Sequence, residues 1–147
     1  MNTKIYKKKW ITALALAAAV SLAASCQTMS MGGSEQVSLT GANEVPPVQT
    51  SAAGSGTVTI KDDRSVSVKI TVTGMTPTAA HIHEAAAGQN GPVIVPFTKT
   101  SDTTFEAPAN AKLTEAQYAS YKAGKLYVNV HSAQNPGGEI RAQLKGS

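Results

Sequence analysis

The sequence predicts an all-β fold, an antiparallel sandwich or Greek-key barrel with one short helix. Three observations predict it. Residues 65–73, SVSVKITVT, alternate strictly between apolar and polar side chains, the period of a strand with one face buried. Short runs of the same kind recur along residues 37–145, punctuated by glycine, proline and asparagine at the intervals of tight turns. One stretch, residues 115–122, carries helix signals instead.

Taken in order, residues 1–25 read as an export signal outside the fold. Lys4, Lys7, Lys8 and Lys9 make a basic start, and the apolar run from Ile11 to Ala24 is too short to span a bilayer comfortably. The run ends in Leu22-Ala23-Ala24-Ser25-Cys26, which resembles the lipobox of bacterial lipoproteins with its leucine one position further back than usual. Cleavage by ordinary signal peptidase after Ala23-Ala24-Ser25 is the alternative. Cys26 is the only cysteine, so it has no internal disulfide partner, and lipid attachment gives it a use in an oxidising compartment. Gln27 after it is similar to residues that let such lipoproteins reach the outer membrane. The expectation is an exported chain anchored through lipid on Cys26, facing the periplasm, with a soluble periplasmic or secreted form as the alternative. Residues 26–36, small and polar, form a flexible tether, and residues 37–147 form one domain. Met29 and Met31 in the tether are soft ligands for cuprous copper on one reading and incidental on the preferred one.

The whole chain has 13 Lys and Arg against 9 Asp and Glu, but four of the lysines lie in the signal and no acid does. The mature chain is therefore balanced at 9 against 9, and its basic pI carries no implication of nucleic acid. Arg64 and Arg141 are the only arginines, too few to track phosphates.

Within the domain, residues 37–40 are the first expected strand, and Pro46-Pro47 stiffens the connection after it. Residues 56–61 and 65–73 pair as a hairpin across Asp62-Asp63-Arg64. Residues 79–83, 93–97 and 103–106 follow as strands, with the small, glycine-rich loop of residues 85–92 bordering a ligand or simply turning. Thr114 and Gln117 form a capping box for a helix over 115–122, with Gly124 as its stop. Residues 125–132 and 139–145 are the last two strands, joined through Gly137-Gly138. In the first of them Leu126, Val128 and Val130 share the core face, leaving Tyr127, Asn129 and His131 together on the other, away from the core or on a sheet edge. Glu139 and Arg141 share a face, with exposed charge pairs on neighbouring strands as their expected use.

The three histidines fall in two of these strands. His81 and His83 emerge on one face of an extended segment with Ile82 on the other, within reach of a single ion. His131 would complete the nitrogen-rich set that copper or zinc favours. The competing reading is that each is a half-buried side chain satisfied by a carbonyl or by water. Glu44 or Glu139 would supply an oxygen ligand or an acceptor behind the histidines.

Several spaced segments together carry a family resemblance: Leu39-Thr40-Gly41-Ala42-Asn43-Glu44-Val45-Pro46-Pro47-Val48, Ala80-His81-Ile82-His83, Asn90-Gly91-Pro92-Val93, Leu113-Thr114, and the closing run from Ala123 through His131 to Asn135-Pro136-Gly137-Gly138-Glu139-Ile140-Arg141. In this order they resemble the CHRD domain, first described in chordin and found in many bacterial proteins, over nearly all of residues 37–145. The resemblance implies an immunoglobulin-like sandwich or barrel distantly similar to copper/zinc superoxide dismutase, whose sheet also carries a His-x-His pair. It implies metal-ligand roles for His81 and His83 with His131 as the natural third, and no agreed biochemical activity. The bridged metal pair of the dismutase needs additional histidines and an aspartate that this chain does not spare.

The expected function is thus a cell-envelope, non-catalytic module holding one copper or zinc ion on His81, His83 and His131, copper slightly ahead. The alternative, from another class, is an immunoglobulin-like module that binds a protein or envelope component through its loops, without metal. Dismutase activity is a distant third, because no charge pattern funnels an anion toward the site. Hydrolase readings fare worst: there is no Gly-x-Ser-x-Gly elbow and no cysteine beyond Cys26.

Overall fold

A computed structural model describes residues 33–146. The export signal, Cys26 and most of the tether, including Met29 and Met31, lie outside them. Nine strands form one antiparallel sheet: β1 (Ser34–Thr40), β2 (Ala53–Ile60), β3 (Val66–Thr73), β4 (Pro77–Glu84), β5 (Val93–Pro96), β6 (Thr98–Lys99), β7 (Thr104–Glu106), β8 (Leu126–Ser132) and β9 (Ile140–Gln143). One helix, α1 (Glu115–Lys122), connects β7 to β8. The strand order is β5-β4-β8-β9-β1-β2-β3-β7-β6. Its two ends, β5 and β6, are consecutive in the chain across Phe97, whose N–H donates to Ala80 O at 3.0 Å, so the sheet curls into a nearly closed barrel. Closure leaves little free strand edge.

The alternation read in the sequence appears where expected. In β3 every second residue, Val66, Val68, Ile70 and Val72, is buried and the intervening ones are exposed. β3 pairs with β2 over eight residues, from Ala53 opposite Thr73 to Ile60 opposite Val66, and Arg64 takes φ 71° in the connecting turn. The barrel interior is filled by Leu39, Ile60, Ile70, Val72, Ala80, Ile82, Leu126, Val128, Val130 and Ile140. Each buried Val, Leu or Ile contributes about 1.5–3 kcal/mol of transfer free energy. Helix α1 starts where the capping box places it: Thr114 Oγ1 accepts from Gln117 N at 3.2 Å and Gln117 Oε1 from Thr114 N at 2.9 Å.

Two expectations need correction. β1 begins at Ser34, so the first strand extends into the segment read as tether, because residues 34–36 find partners in Thr59, Val58 and Thr57 of β2. More consequentially, β8 is neither an edge nor half-exposed. It lies between β4 and β9, and all seven of its residues are buried, His131 among them. The outer face of β8 is covered because loops 85–92 and 133–138 fold back over it. The barrel therefore carries a second, polar layer on one side.

Candidate metal centre

Strand register assembles this polar layer. His81 lies opposite Asn129, His83 opposite Tyr127 and Ala79 opposite His131 across β4 and β8, while Asn129 and Tyr127 face Arg141 and Gln143 of β9. Residues paired across a ladder project to the same side, so all of these side chains meet outside the apolar barrel. A register shift between Ile82 and His83 marks a bulge where β5 runs beside the two histidines.

The candidate ligand nitrogens of His81, His83 and His131 all lie within 4.8 Å of one another. The sequence-predicted triad is thus brought together in space. His83 Nδ1 stands 2.9 Å from Gly91 O and His131 Nδ1 stands 2.9 Å from Pro136 O. A carbonyl only accepts, so both Nδ1 atoms carry the proton and both Nε2 atoms keep a lone pair free for a ligand. Binding of the non-ligating imidazole nitrogen to a backbone carbonyl is the usual support for a metal-bound histidine. His131 Nε2 lies 3.0 Å from His81 Nδ1. His83 Nε2 is buried and meets no hydrogen-bond partner in good geometry, although the Asn129 side chain adjoins the ring and favours its protonated form.

A metal held at about 2.05 Å by imidazoles requires nitrogens roughly 3.4–3.6 Å apart. The 3.0 Å pair must open by a few tenths of an ångström and the widest pair must close. His81 is the side chain able to adjust, since it is half-exposed and fastened to no backbone carbonyl, and a change of tautomer frees its Nδ1. Burial, then the charges of His131 and His83, push His81 down to about 4. Burial also lowers His83, against the Gly91 carbonyl and Asn129, which favour its protonated form. Both shifts favour the neutral imidazole, the form available as a ligand at neutral pH.

Glu44 and Glu139 take different places from the triad. Glu139 accepts from Thr50 Oγ1 at 2.7 Å and from Ser132 Oγ, a structural brace between loop and strand. Burial opposes its charge, yet the Ser132 and Thr50 hydroxyls hold its carboxyl below the usual range. Glu44 is buried beside Asn129, which in turn adjoins His83, so it stands behind the ligands and not among them. Burial pushes its carboxyl up, against the pull of Arg141 and Asn129. Gly138, at φ 131°, closes over this pair: a Cβ there would stand 2.5 Å from Asn129 Nδ2 and 2.6 Å from Glu44 Oε1. The glycine is required by that approach as well as by its backbone angle.

The sequence reading missed Arg141, Tyr127 and the covering loop. Arg141 is 2% exposed, and instead of joining surface charge pairs it donates to Gln89 O at 2.8 Å and Asn90 Oδ1 at 3.1 Å. Gln143 Nε2 donates to Ala85 O at 3.0 Å, and Gly91 N donates to Tyr127 Oη at 3.2 Å. These bonds fasten loop 85–92 over the site. The available signal was the placement of Tyr127, Arg141 and Gln143 on the histidine face together with a loop of small residues able to approach it closely.

A protein-family model described as CHRD domain matches residues 36–144, the whole of the barrel apart from Ser34 and Glu35 at the start of β1. None of the curated proteins matches the chain, and none of the solved structures does.

Proposed function

The chain belongs to the CHRD domain family, and from that premise we propose that it is a cell-envelope module that holds one copper or zinc ion on His81, His83 and His131. One observation carries the reading. His81, His83 and His131 each bring a ring nitrogen within 4.8 Å of the others, while His83 Nδ1 is committed to Gly91 O and its Nε2 is buried without a well-formed hydrogen bond. An unsatisfied buried polar atom costs about 1–3 kcal/mol, and a cation at the centre of the cluster removes that cost. An all-imidazole set without carboxylate or thiolate suits copper first and zinc second. A three-nitrogen set leaves a coordination position for water or an incoming ligand.

Location and anchoring rest on the amino-acid sequence. The basic and apolar start, the lipobox-like residues ending at Cys26 and the lone cysteine support a lipid-anchored protein of the outer membrane facing the periplasm. On this reading the module serves storage, trafficking or protection without catalysis of its own. The second reading, a metal-free module binding a protein or envelope component, is favoured by one observation. The bonds of His83 and His131 to backbone carbonyls also brace loops 85–92 and 133–138.

The deciding measurement uses the mature chain with Cys26→Ser, stripped by chelator and titrated with Cu(I), Cu(II) and Zn(II). Submicromolar binding of one ion per chain that His83→Ala weakens at least 100-fold is the expected result. Indifference to all three ions leaves the adhesive module in its place.

A further inference from the structure

Arg141 is a buried cation, and among the described residues no carboxylate oxygen lies within ion-pair distance of it. Its guanidinium donors end on neutral acceptors: Asn90 Oδ1 at 3.1 Å, Gln89 O at 2.8 Å and Gln143 Oε1 at 3.3 Å. Its Cζ lies 3.4 Å from the centroid of the Tyr127 ring. Tyr127 is in turn stacked on His83, with centroids 4.9 Å apart and planes 7° from parallel. His83 and Arg141 come from the strands on either side of β8, so the phenol ring lies between imidazole and guanidinium. The stack puts a permanent positive charge roughly 8 Å from the His83 ring, across an aromatic ring that admits no water.

Three neutral imidazoles leave a bound ion its full formal charge. The ion's interaction with Arg141 therefore grows with that charge and is twice as unfavourable for a dication as for a monocation. The nearby countercharge is Glu44, whose ionised form is itself opposed by burial. We propose that Arg141 and Glu44 set the charge preference of the three-histidine site, Arg141 biasing it toward monovalent Cu(I) over Zn(II) and Cu(II), and Glu44 in the opposite sense. This inference rests on the metal-binding reading and names the ion class that the site prefers. Arg141 and Glu44 act here as specificity-determining residues that do not touch the ion.

An ion bonded to the His83 ring would stand slightly farther off, at ~8–9 Å, where an effective dielectric of ~20–40 makes one unit of charge worth roughly 5- to 30-fold in affinity. The test is the ratio of Zn(II) to Cu(I) dissociation constants, each measured by competition with a chromophoric chelator, for the mature chain and three variants. Arg141→Gln should tighten Zn(II) relative to Cu(I) by about 5- to 30-fold. Arg141→Lys retains the charge while losing the planar fork, and should leave the ratio within about 3-fold of wild type. Glu44→Gln, nearly isosteric, should shift the ratio the other way. Damage to the loop pins would weaken both ions alike and cancel in the ratio.

Equal shifts in Arg141→Gln and Arg141→Lys, or an unchanged ratio in Arg141→Gln with both ions still bound, overturn the charge-preference proposal and leave metal binding intact. If Arg141→Gln does not fold, Glu44→Gln decides: a ratio unmoved or moved toward Zn(II) overturns it. A wild-type chain that binds neither ion removes both readings.

Discussion

Replacing His83 by leucine separates a ligand from a structural histidine, because the two roles give opposite answers with and without metal. In the metal-free protein the substitution removes the bond to Gly91 O, worth about 1 kcal/mol. It also removes the stack on Tyr127, about 0.5–1.5 kcal/mol. Against these losses it deletes the partnerless Nε2, whose burial costs about 1–3 kcal/mol, and leucine fills a similar volume so that no large cavity is left. The contributions nearly cancel. Since ~1 kcal/mol corresponds to roughly 4 °C in a domain of this size, the metal-free variant should melt within about 4 °C of wild type.

With metal the outcome diverges. Free ion at about 1,000 times Kd, such as ~0.1 mM zinc against a Kd of ~0.1 μM, adds about 4 kcal/mol to the folded state. That is roughly 16 °C of added melting temperature for the wild type. The leucine variant has lost one of three nitrogens and should show almost none of it. Differential scanning calorimetry of chelator-stripped protein with and without zinc reads both halves. A leucine variant that melts more than about 10 °C low without metal, beside a wild type that zinc does not stabilise, would refute the reasoning and make His83 a loop fastener only.

Acidification should destabilise the metal-free protein through His81. Its folded value of about 4 lies below the unfolded value of 6.5, so the unfolded chain takes the proton first; this source of stability is intact above about pH 6.5 and is lost as pH falls toward 4. Urea midpoints measured from pH 7 to pH 4 should therefore fall less in His81→Ala than in wild type, and parallel curves would contradict the shift. Gly138→Ala should cost about 2–3 kcal/mol, since the new Cβ meets Asn129 Nδ2 and Glu44 Oε1 at a φ that L-residues rarely adopt. A midpoint unchanged in chemical denaturation would mean that the backbone over Glu44 yields freely.

Local physics made much of the fold legible in advance. The alternation of residues 65–73 needs only a period of two, and the Thr114/Gln117 box needs only four residues, so strand β3 and helix α1 could be read without knowing their neighbours. That His81 and His83 share a face was legible for the same reason, whereas the approach of His131 rests on β4 pairing with β8, 50 residues away, and stood as an expectation that parity alone does not derive. Burial of that face was not legible. It is made by bonds such as Arg141 to Gln89 O, 52 residues away in sequence, and Asn90 Nδ2 to Val45 O, 45 residues away, which parity within a strand cannot anticipate. Arg141 was misread for that reason, as an arginine in an alternating strand ordinarily points to water.

The distribution of unsatisfied atoms bears on what the covered face is for. Among the described residues three buried side-chain atoms have no hydrogen-bond partner: Glu44 Oε1, Asn129 Oδ1 and His83 Nε2. All belong to the polar layer over β8, with Asn129 adjoining both of the others. Fastening loops 85–92 and 133–138 accounts for His83 Nδ1, His131 Nδ1, Gln143 and the Arg141 donors, but it leaves these three atoms with no well-formed bond beyond their mutual approach around Asn129. Each unsatisfied atom costs about 1–3 kcal/mol, a large fraction of the ~5–15 kcal/mol that holds a domain together. Polar packing that served the loops alone would gain stability by substituting apolar side chains at His83 and Asn129. Retaining three clustered imidazoles makes physical sense when a cation completes the set, and the loop bonds then serve to keep His83 and His131 in the tautomers that receive it.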